Sequence, residues 1–229
     1  MVAFFFPMLS GANPLFVEFL GSNASTSAGS SQSFAGESLG VAVSSREIFV
    51  AVSWKGGLLL RTLSSATIGG VAATIRVQNG LTDGAGLSIG AAVISAVVPT
   101  GATGTIAITF SGSVDDCGIG KYRVLNRTSI FNTASDALTD ASPPATSSTN
   151  INVGQNGAII AGYQLGDGGF GSGVTWGNIN EDYDAAFSAN YRYSGASQSG
   201  LSAQTGRSIT TSSNASGSAG ITVAIVSIT

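Results

Sequence analysis

An all-β, antiparallel two-sheet β-sandwich of jelly-roll type is the fold this sequence predicts, and three observations predict it. Charged residues make up only 9% of the 229 positions while hydrophobic ones make up 43%, a balance that suits stacked short strands. The 32 glycines, with abundant serine and threonine, supply frequent turns between them. No segment keeps a helical period for about three turns. A net charge of -3 with recurrent Val, Ile and Thr disfavours a disordered chain.

The elements follow in order. Residues 1–37 read as an extended N-terminal arm, in which two apolar patches, 4–9 and 15–20, flank Gly11-Ala12-Asn13-Pro14. The tract SNASTSAGSSQS that follows has the composition of a flexible linker. Phe4, Phe5, Phe6, Phe16 and Phe19 are the arm's candidate assembly contacts, because apolar rings on a tether gain by burial in a neighbour. Residues 38–229 read as the β-sandwich domain. Short β-type runs occupy 39–43, 47–54, 58–63, 71–77, 87–98, 105–110 and 118–125, each bounded by Gly, Ser, Asn or Asp. A polar stretch carrying Ser142-Pro143-Pro144 interrupts them, and strands resume at 151–153, 158–165, 174–176, 189–193, 207–211 and 221–228. Helix is expected to be limited to a turn or two, around 129–138.

A weak internal repeat adds organisation. Thr103-Gly104 overlays Thr205-Gly206, and the same offset carries Gly118-Ile119 onto Gly220-Ile221. The run Ile48 to Ser53 matches Ile159 to Gln164, and Thr67-Ile68-Gly69-Gly70 has a looser counterpart in Thr175-Trp176-Gly177-Asn178. Two related halves, about 38–126 and 149–229, would each carry about four strands, although Gly/Ser/Thr-rich β chains also match themselves by chance.

The chemistry-bearing residues are few. The chain has no histidine, which removes the usual general base of Ser and Cys nucleophiles and the commonest transition-metal ligand. The single Cys117 follows Asp115-Asp116, whose charges oppose a thiolate, so it reads as a small buried hydrophobe. No catalytic residue and no cofactor site is expected. In Glu181-Asp182-Tyr183-Asp184, a straight strand would put Asp182 and Asp184 on one face about 7 Å apart. That spacing suits either a weak Ca²⁺ site or a charged edge that discourages aggregation. Trp176, Tyr183, Tyr191 and Tyr193 are candidate glycan contacts, because a ring face stacks on a sugar's C–H face, and they equally suit a core or interface ladder. The run Gly166 to Gly173 lacks the Lys-Ser/Thr of a P-loop and reads as a hairpin loop. Nine scattered Lys and Arg give no nucleic-acid footprint. The segment MVAFFFPML, broken by Pro7, falls short of the roughly 20 apolar residues of a membrane span and lacks a signal peptide's basic start.

The succession SLGVAVSSREIFVAVSW, SSATIGGVAATIRV, SAVVPTGATGTIAITFSGSVDDCGIGKYRVL and TWGNINEDYD resembles a group of virion-associated β proteins of tailed bacteriophages and prophages. The shared features are an Arg-led hydrophobic strand, a T-I-G-G-V-A-A hairpin and a V-P-x-G-x-x-G-T-I strand pair, and the likeness covers about residues 38–229. The resemblance implies a non-enzymatic decoration, collar or fibre-associated component at the particle surface. Its expected partners are other virion proteins and further copies of itself, with docking through the N-terminal arm. A glycan-binding host-recognition module or adhesin would use the same scaffold, with host-surface glycan as its partner.

Overall fold

The computed structural model describes residues 13–82, 86, 88–141, 144–166, 170–188, 190–215 and 219–229. Among them every regular element is a strand. The first half of the chain contributes β1 Phe16–Ser25, β2 Gly29–Ser38, β3 Glu47–Gly56, β4 Leu63–Ile68, β5 Val71–Ala72, β6 Thr74–Thr82, β7 Ser88–Val97 and β8 Thr103–Leu125. The second contributes β9 Ile130–Ala141, β10 Ala145–Val153, β11 Gly157–Gly166, β12 Phe170–Gly177, β13 Asn180–Ser188, β14 Tyr191–Leu201, β15 Gln204–Ala215 and β16 Ala219–Ile228. All recorded pairings are antiparallel.

The β-sandwich is present, and it is present twice. The long strand β8 organises the first. Its residues up to Val114 run between β2 and β4, and the stretch from Val114 onward runs between β1 and β3. One continuous strand therefore serves an outer sheet, β2-β8-β4-β5, and an inner sheet, β1-β8-β3-β7-β6. In the second sandwich β15 and β16 divide that work, giving an outer sheet β10-β15-β12 and an inner sheet β9-β16-β11-β14-β13. The two halves share one strand plan, in which the chain crosses between facing sheets and one hairpin, β6–β7 in the first half and β13–β14 in the second, stays within the inner sheet. The sequence matches sit at matching places in it: Ile48 to Ser53 on β3 against Ile159 to Gln164 on β11, and Thr67-Ile68 closing β4 against Thr175-Trp176 closing β12.

Four sheets are consequently stacked. Between the first pair lie Phe34, Ile48, Val50, Val52, Trp54, Ile68, Ile94, Ile106 and Ile108. Between the second pair lie Ile151, Ile159, Tyr163, Leu165, Trp176, Ile209, Val223 and Ile225. A third core joins the two inner sheets: Phe49, Ala51, Val93, Tyr122 and Val124 meet Ala158, Ile160, Ala224, Val226 and Ile228. That is why β3, β7, β11 and β16 read as continuous apolar runs rather than alternating ones. Both of their faces are covered, as the unbroken burial of β3 and β11 shows.

Three local expectations need correction. Within residues 1–37, read as an arm and a Ser-rich linker, the structure has strand β1 and all but the last residue of β2, and both strands pair with β8. The composition of SNASTSAGSSQS suits a linker, but a partner strand overrides composition once its N–H and C=O groups are paired. The region 129–138, expected as a short helix, is strand β9 on the edge beside β16. The halves accordingly begin at β1 and β9, ahead of residues 38 and 149. Phe4, Phe5 and Phe6 lie outside the described residues. No helix among the described residues is long and apolar enough to cross a membrane.

The T-I-G-G-V-A-A segment does form a hairpin: Ile68 pairs with Val71 across Gly69 and Gly70, at φ +59° and +80°. A two-residue turn with positive φ at both positions matches the right-handed twist of the strands it joins, and glycine takes that conformation without steric cost.

Candidate functional site

The acidic segment 181–184 lies on β13, which pairs with β14. The register slips between Glu181 and Tyr183, so Asp182 is the extra residue of a β-bulge. The bulge separates the two aspartates that a straight strand would align. Asp184 receives Arg192 through two hydrogen bonds, 3.0 Å from Nε and 2.9 Å from Nη2, and accepts the Val174 N–H of the outer sheet at 2.9 Å. It is a brace between strands with its oxygens engaged. Asp182 is on the other side, beside the Tyr122 hydroxyl of β8 and near Ser197. Burial pushes its carboxyl above the ordinary range. Asp182 Oδ2 and Tyr122 Oη are buried and face one another without hydrogen-bond geometry. Glu181 is also raised, by partial burial and then by the charge of Asp184. The pair Asp182 and Asp184 therefore does not converge on one Ca²⁺ position. Among the described residues no three acidic, cysteine or histidine groups cluster as metal ligands.

The four aromatics proposed from the sequence do not share a surface. Trp176 is inside the second sandwich, its ring 5.9 Å from Tyr163 edge to face and its Nε1–H donated to Ser194 Oγ at 2.8 Å. Tyr183 and Tyr193 lie between the two halves, 5.8 Å apart, and their rings rest on Gly120 and Gly118 of β8. A Cβ at Gly120 would stand 2.1 Å from the Tyr183 ring, so the seat exists only because the residue is glycine. Burial raises both phenols. Tyr191 lies under the Lys55 ammonium, 4.6 Å from the ring centroid. Phe19, proposed for the arm, stacks on Tyr183 at 5.5 Å and meets Tyr122 at 5.4 Å, so it belongs to the same inter-half cluster. Phe16 stays 43% exposed, with the Arg123 guanidinium 5.5 Å from its ring.

Cys117 is fully buried, and burial, followed by Asp116, drives its thiol far above the usual value. It packs with Trp54 and Ile119 as a hydrophobe.

Sequence reasoning missed the charged residues that the fold buries. Arg46 is enclosed and places its five N–H donors on five backbone carbonyls: Val98, Leu39, Gly40, Thr100 and Gly101, at 2.7–3.1 Å. Burial, then the charge of Arg123, lowers its pKa below the usual guanidinium value. Glu47, the next residue, holds Arg76, Ser95 and Arg127 at the edge of the inner sheet. Glu37 of β2 pairs with Lys121 of β8 and accepts from Asn23 of β1 at 2.6 Å. The sole sequence signal was Arg46-Glu47 directly ahead of an apolar run.

Among the remaining surface features are an exposed leucine run and an open cavity. Leu58, Leu59 and Leu60, between β3 and β4, are 61%, 62% and 44% exposed. An open cavity of about 590 Å³ crosses the outer sheet of the second sandwich, lined by Asp136 and Leu138 of β9 and by residues 146–148, 175–177 and 210–212, of which Thr146, Ser148 and Thr175 are exposed.

In comparison with known proteins, no protein-family model matches the chain, and no curated protein matches it.

Proposed function

We propose that this chain is a non-enzymatic structural component of a bacteriophage virion, a capsid decoration, collar or tail- or fibre-associated protein at the particle surface. It docks on other virion proteins and on copies of itself through its N-terminal segment and displays a rigid β body. The observation that carries this reading is the contrast between a body braced through three cores and the apolar groups left at its surface, Leu58 to Leu60 and Phe16. Consecutive exposed leucines on a chain with so little surface charge favour burial against another protein. Phe16 lies close to where residues 1–12, with Phe4, Phe5 and Phe6, join the body. The phage resemblance in the sequence supports the same role.

The test compares the full chain with one beginning at Asn13, which keeps β1 and β2 intact. Both are weighed in solution and offered to purified particles lacking the protein. The expected result is that the shorter chain melts at the same temperature but no longer docks. If both behave as the same monomer and neither binds particles, the assembly role is abandoned.

A further inference from the structure

Three polar side chains meet at the edge of the first sandwich. Lys121 of β8 and Glu37 of β2 are 4% and 7% exposed and form an ion pair with each other. The other oxygen of the same carboxylate, Glu37 Oε1, accepts the Asn23 Nδ2–H of β1 at 2.6 Å. Withdrawing two charges from water has a cost that their attraction repays only in part, so a buried pair is weak evidence of a stabilising role. Nor does the strand plan require one. Where β16 meets its own edge strand β9, Ile221 and Ile225 are paired with Leu138 and Ala134.

The register brings the three side chains together. Strand β1 runs beside β8 with Gly21 opposite Lys121 and Asn23 opposite Ile119, so Lys121 and Asn23 are diagonal neighbours on one face. That face looks into the first sandwich, since Ile119 belongs to its core. Gly21 carries no side chain, which leaves the lysine free to lean along β1 toward Asn23. Glu37 arrives from the facing sheet, where β2 pairs with the earlier stretch of β8. An amine, a carboxamide and a carboxylate in contact with both are the complete set for acyl transfer to nitrogen, with no cofactor needed.

We propose that Lys121 and Asn23 join in an intramolecular isopeptide bond, with Glu37 as the catalytic base and acid. Glu37 takes a proton from the Lys121 ammonium, an exchange that removes both buried charges. The amine lone pair attacks Asn23 Cγ, forming the new C–N bond as the carbonyl electrons move onto Oδ1. The Ala24 N–H, already 2.8 Å from that oxygen, stabilises its negative charge. Collapse restores the carbonyl and breaks the Cγ–Nδ2 bond. Glu37 gives its proton to the departing nitrogen, to which it is already hydrogen-bonded, and receives a second proton from the attacking one. The ammonia carries that second proton away as ammonium, and the carboxylate is restored. Neither water nor an oxidant is consumed. Asn23 is exposed on an edge strand, which gives the ammonium a path to solvent. The reaction happens once per chain, so it makes the protein no enzyme. It locks β1 to β8 and stands independently of the assembly role.

The full chain is purified, denatured, weighed by mass spectrometry and digested with trypsin. Its mass is expected to fall below that of its residues by one ammonia, about 17 Da. Trypsin does not cut at an acylated lysine, so the digest is expected to contain residues 1–46 joined to residues 77–123. Fragmentation then places the bond between Asn23 and Lys121. Lys121→Met and Asn23→Ala are expected to keep their full mass. Glu37→Gln retains both reacting groups and is expected to link about a hundredfold more slowly or not at all. Three results overturn the proposal: a parent still at full mass after prolonged incubation at neutral pH, an ammonia loss that maps elsewhere or to a succinimide at Asn23 without the lysine, or a Glu37→Gln chain that links as fast as the parent. The parent's own mass and digest need no variant and decide the matter even where a substitution impairs folding.

Discussion

Arg46 is a charged side chain without a carboxylate partner among the described residues, yet every donor on its guanidinium is used. The planar fork reaches the segment after β2 and the β7–β8 connection at once, which ties the end of the first sandwich together. Arg46→Ala leaves five carbonyls without their donor and is expected to cost about 3–5 kcal/mol, seen as a lower urea midpoint. Arg46→Lys should recover only part of that, since an ammonium has three donors and no fork. A lysine variant as stable as the parent would refute the role. Asp182 works in the opposite sense. Its folded carboxyl is raised above its ordinary 3.8 by burial first, while the nearby Ser197 and Tyr122 hydroxyls only moderate the rise. The folded state therefore binds this proton more tightly than the unfolded chain does. Its stabilising effect is complete below about 3.8 and is lost as pH climbs through the raised value, because a buried charge then remains. Asp182→Asn is expected to melt at or above the parent's temperature at pH 7, with the gap closing on acidification. A gap that widens as pH falls would mean that Asp182 is stabilised as an anion.

At the scale of elements, β8 matters most. It carries four neighbouring strands, β1 and β3 along one stretch and β2 and β4 along the other. Removing residues 1–37 would strip β1 and nearly all of β2 from it, expose one of its edges along most of its length and leave Lys121 without Glu37. A chain beginning at Ser38 is expected to lose cooperative thermal unfolding or to aggregate, while one beginning at Asn13 keeps the parent's transition. Circular dichroism melts of the two separate these outcomes, and a Ser38 chain that melts normally would show β1 and β2 to be dispensable. The other elements were readable where their signal is local. Gly69-Gly70 marks a hairpin by its own backbone preference, and the apolar runs of β3, β7, β11 and β16 mark themselves. Strands β1, β2 and β10 are Ser-, Thr- and Asn-rich and owe their conformation to partners distant in sequence, so local pattern could not reveal them.

At the scale of the molecule, the inner sheets of the two halves are each other's cover. The face of the second half that carries Ala158, Ile160, Ala224, Val226 and Ile228 is largely apolar and would meet water if the first half were taken away. The full chain is expected to unfold in one calorimetric transition. Residues 127–229 alone are expected to self-associate, which sedimentation would detect. A stable, monomeric second half would show the two sandwiches to be independent domains.

The sequence alone determined what depends on composition and near neighbours: an antiparallel all-β chain, the absence of a histidine-based mechanism, the tight Gly69-Gly70 turn, and faint likenesses between halves at Ile48 to Ser53 and Ile159 to Gln164. Tertiary structure decided everything that requires two distant segments to meet. It placed Tyr183 and Tyr193 on Gly120 and Gly118 instead of on a sugar-binding face, and it turned Asp182 away from Asp184 with a bulge that no local pattern encodes. It also gave Arg46 five carbonyls and brought Asp136 of β9 to the hydroxyls of β10 and β15. The physical reason is common to all of these. Burial, hydrogen-bond satisfaction and cavity shape are properties of pairs and groups of residues in space, and in a β fold those partners are separated by tens to more than a hundred positions along the chain.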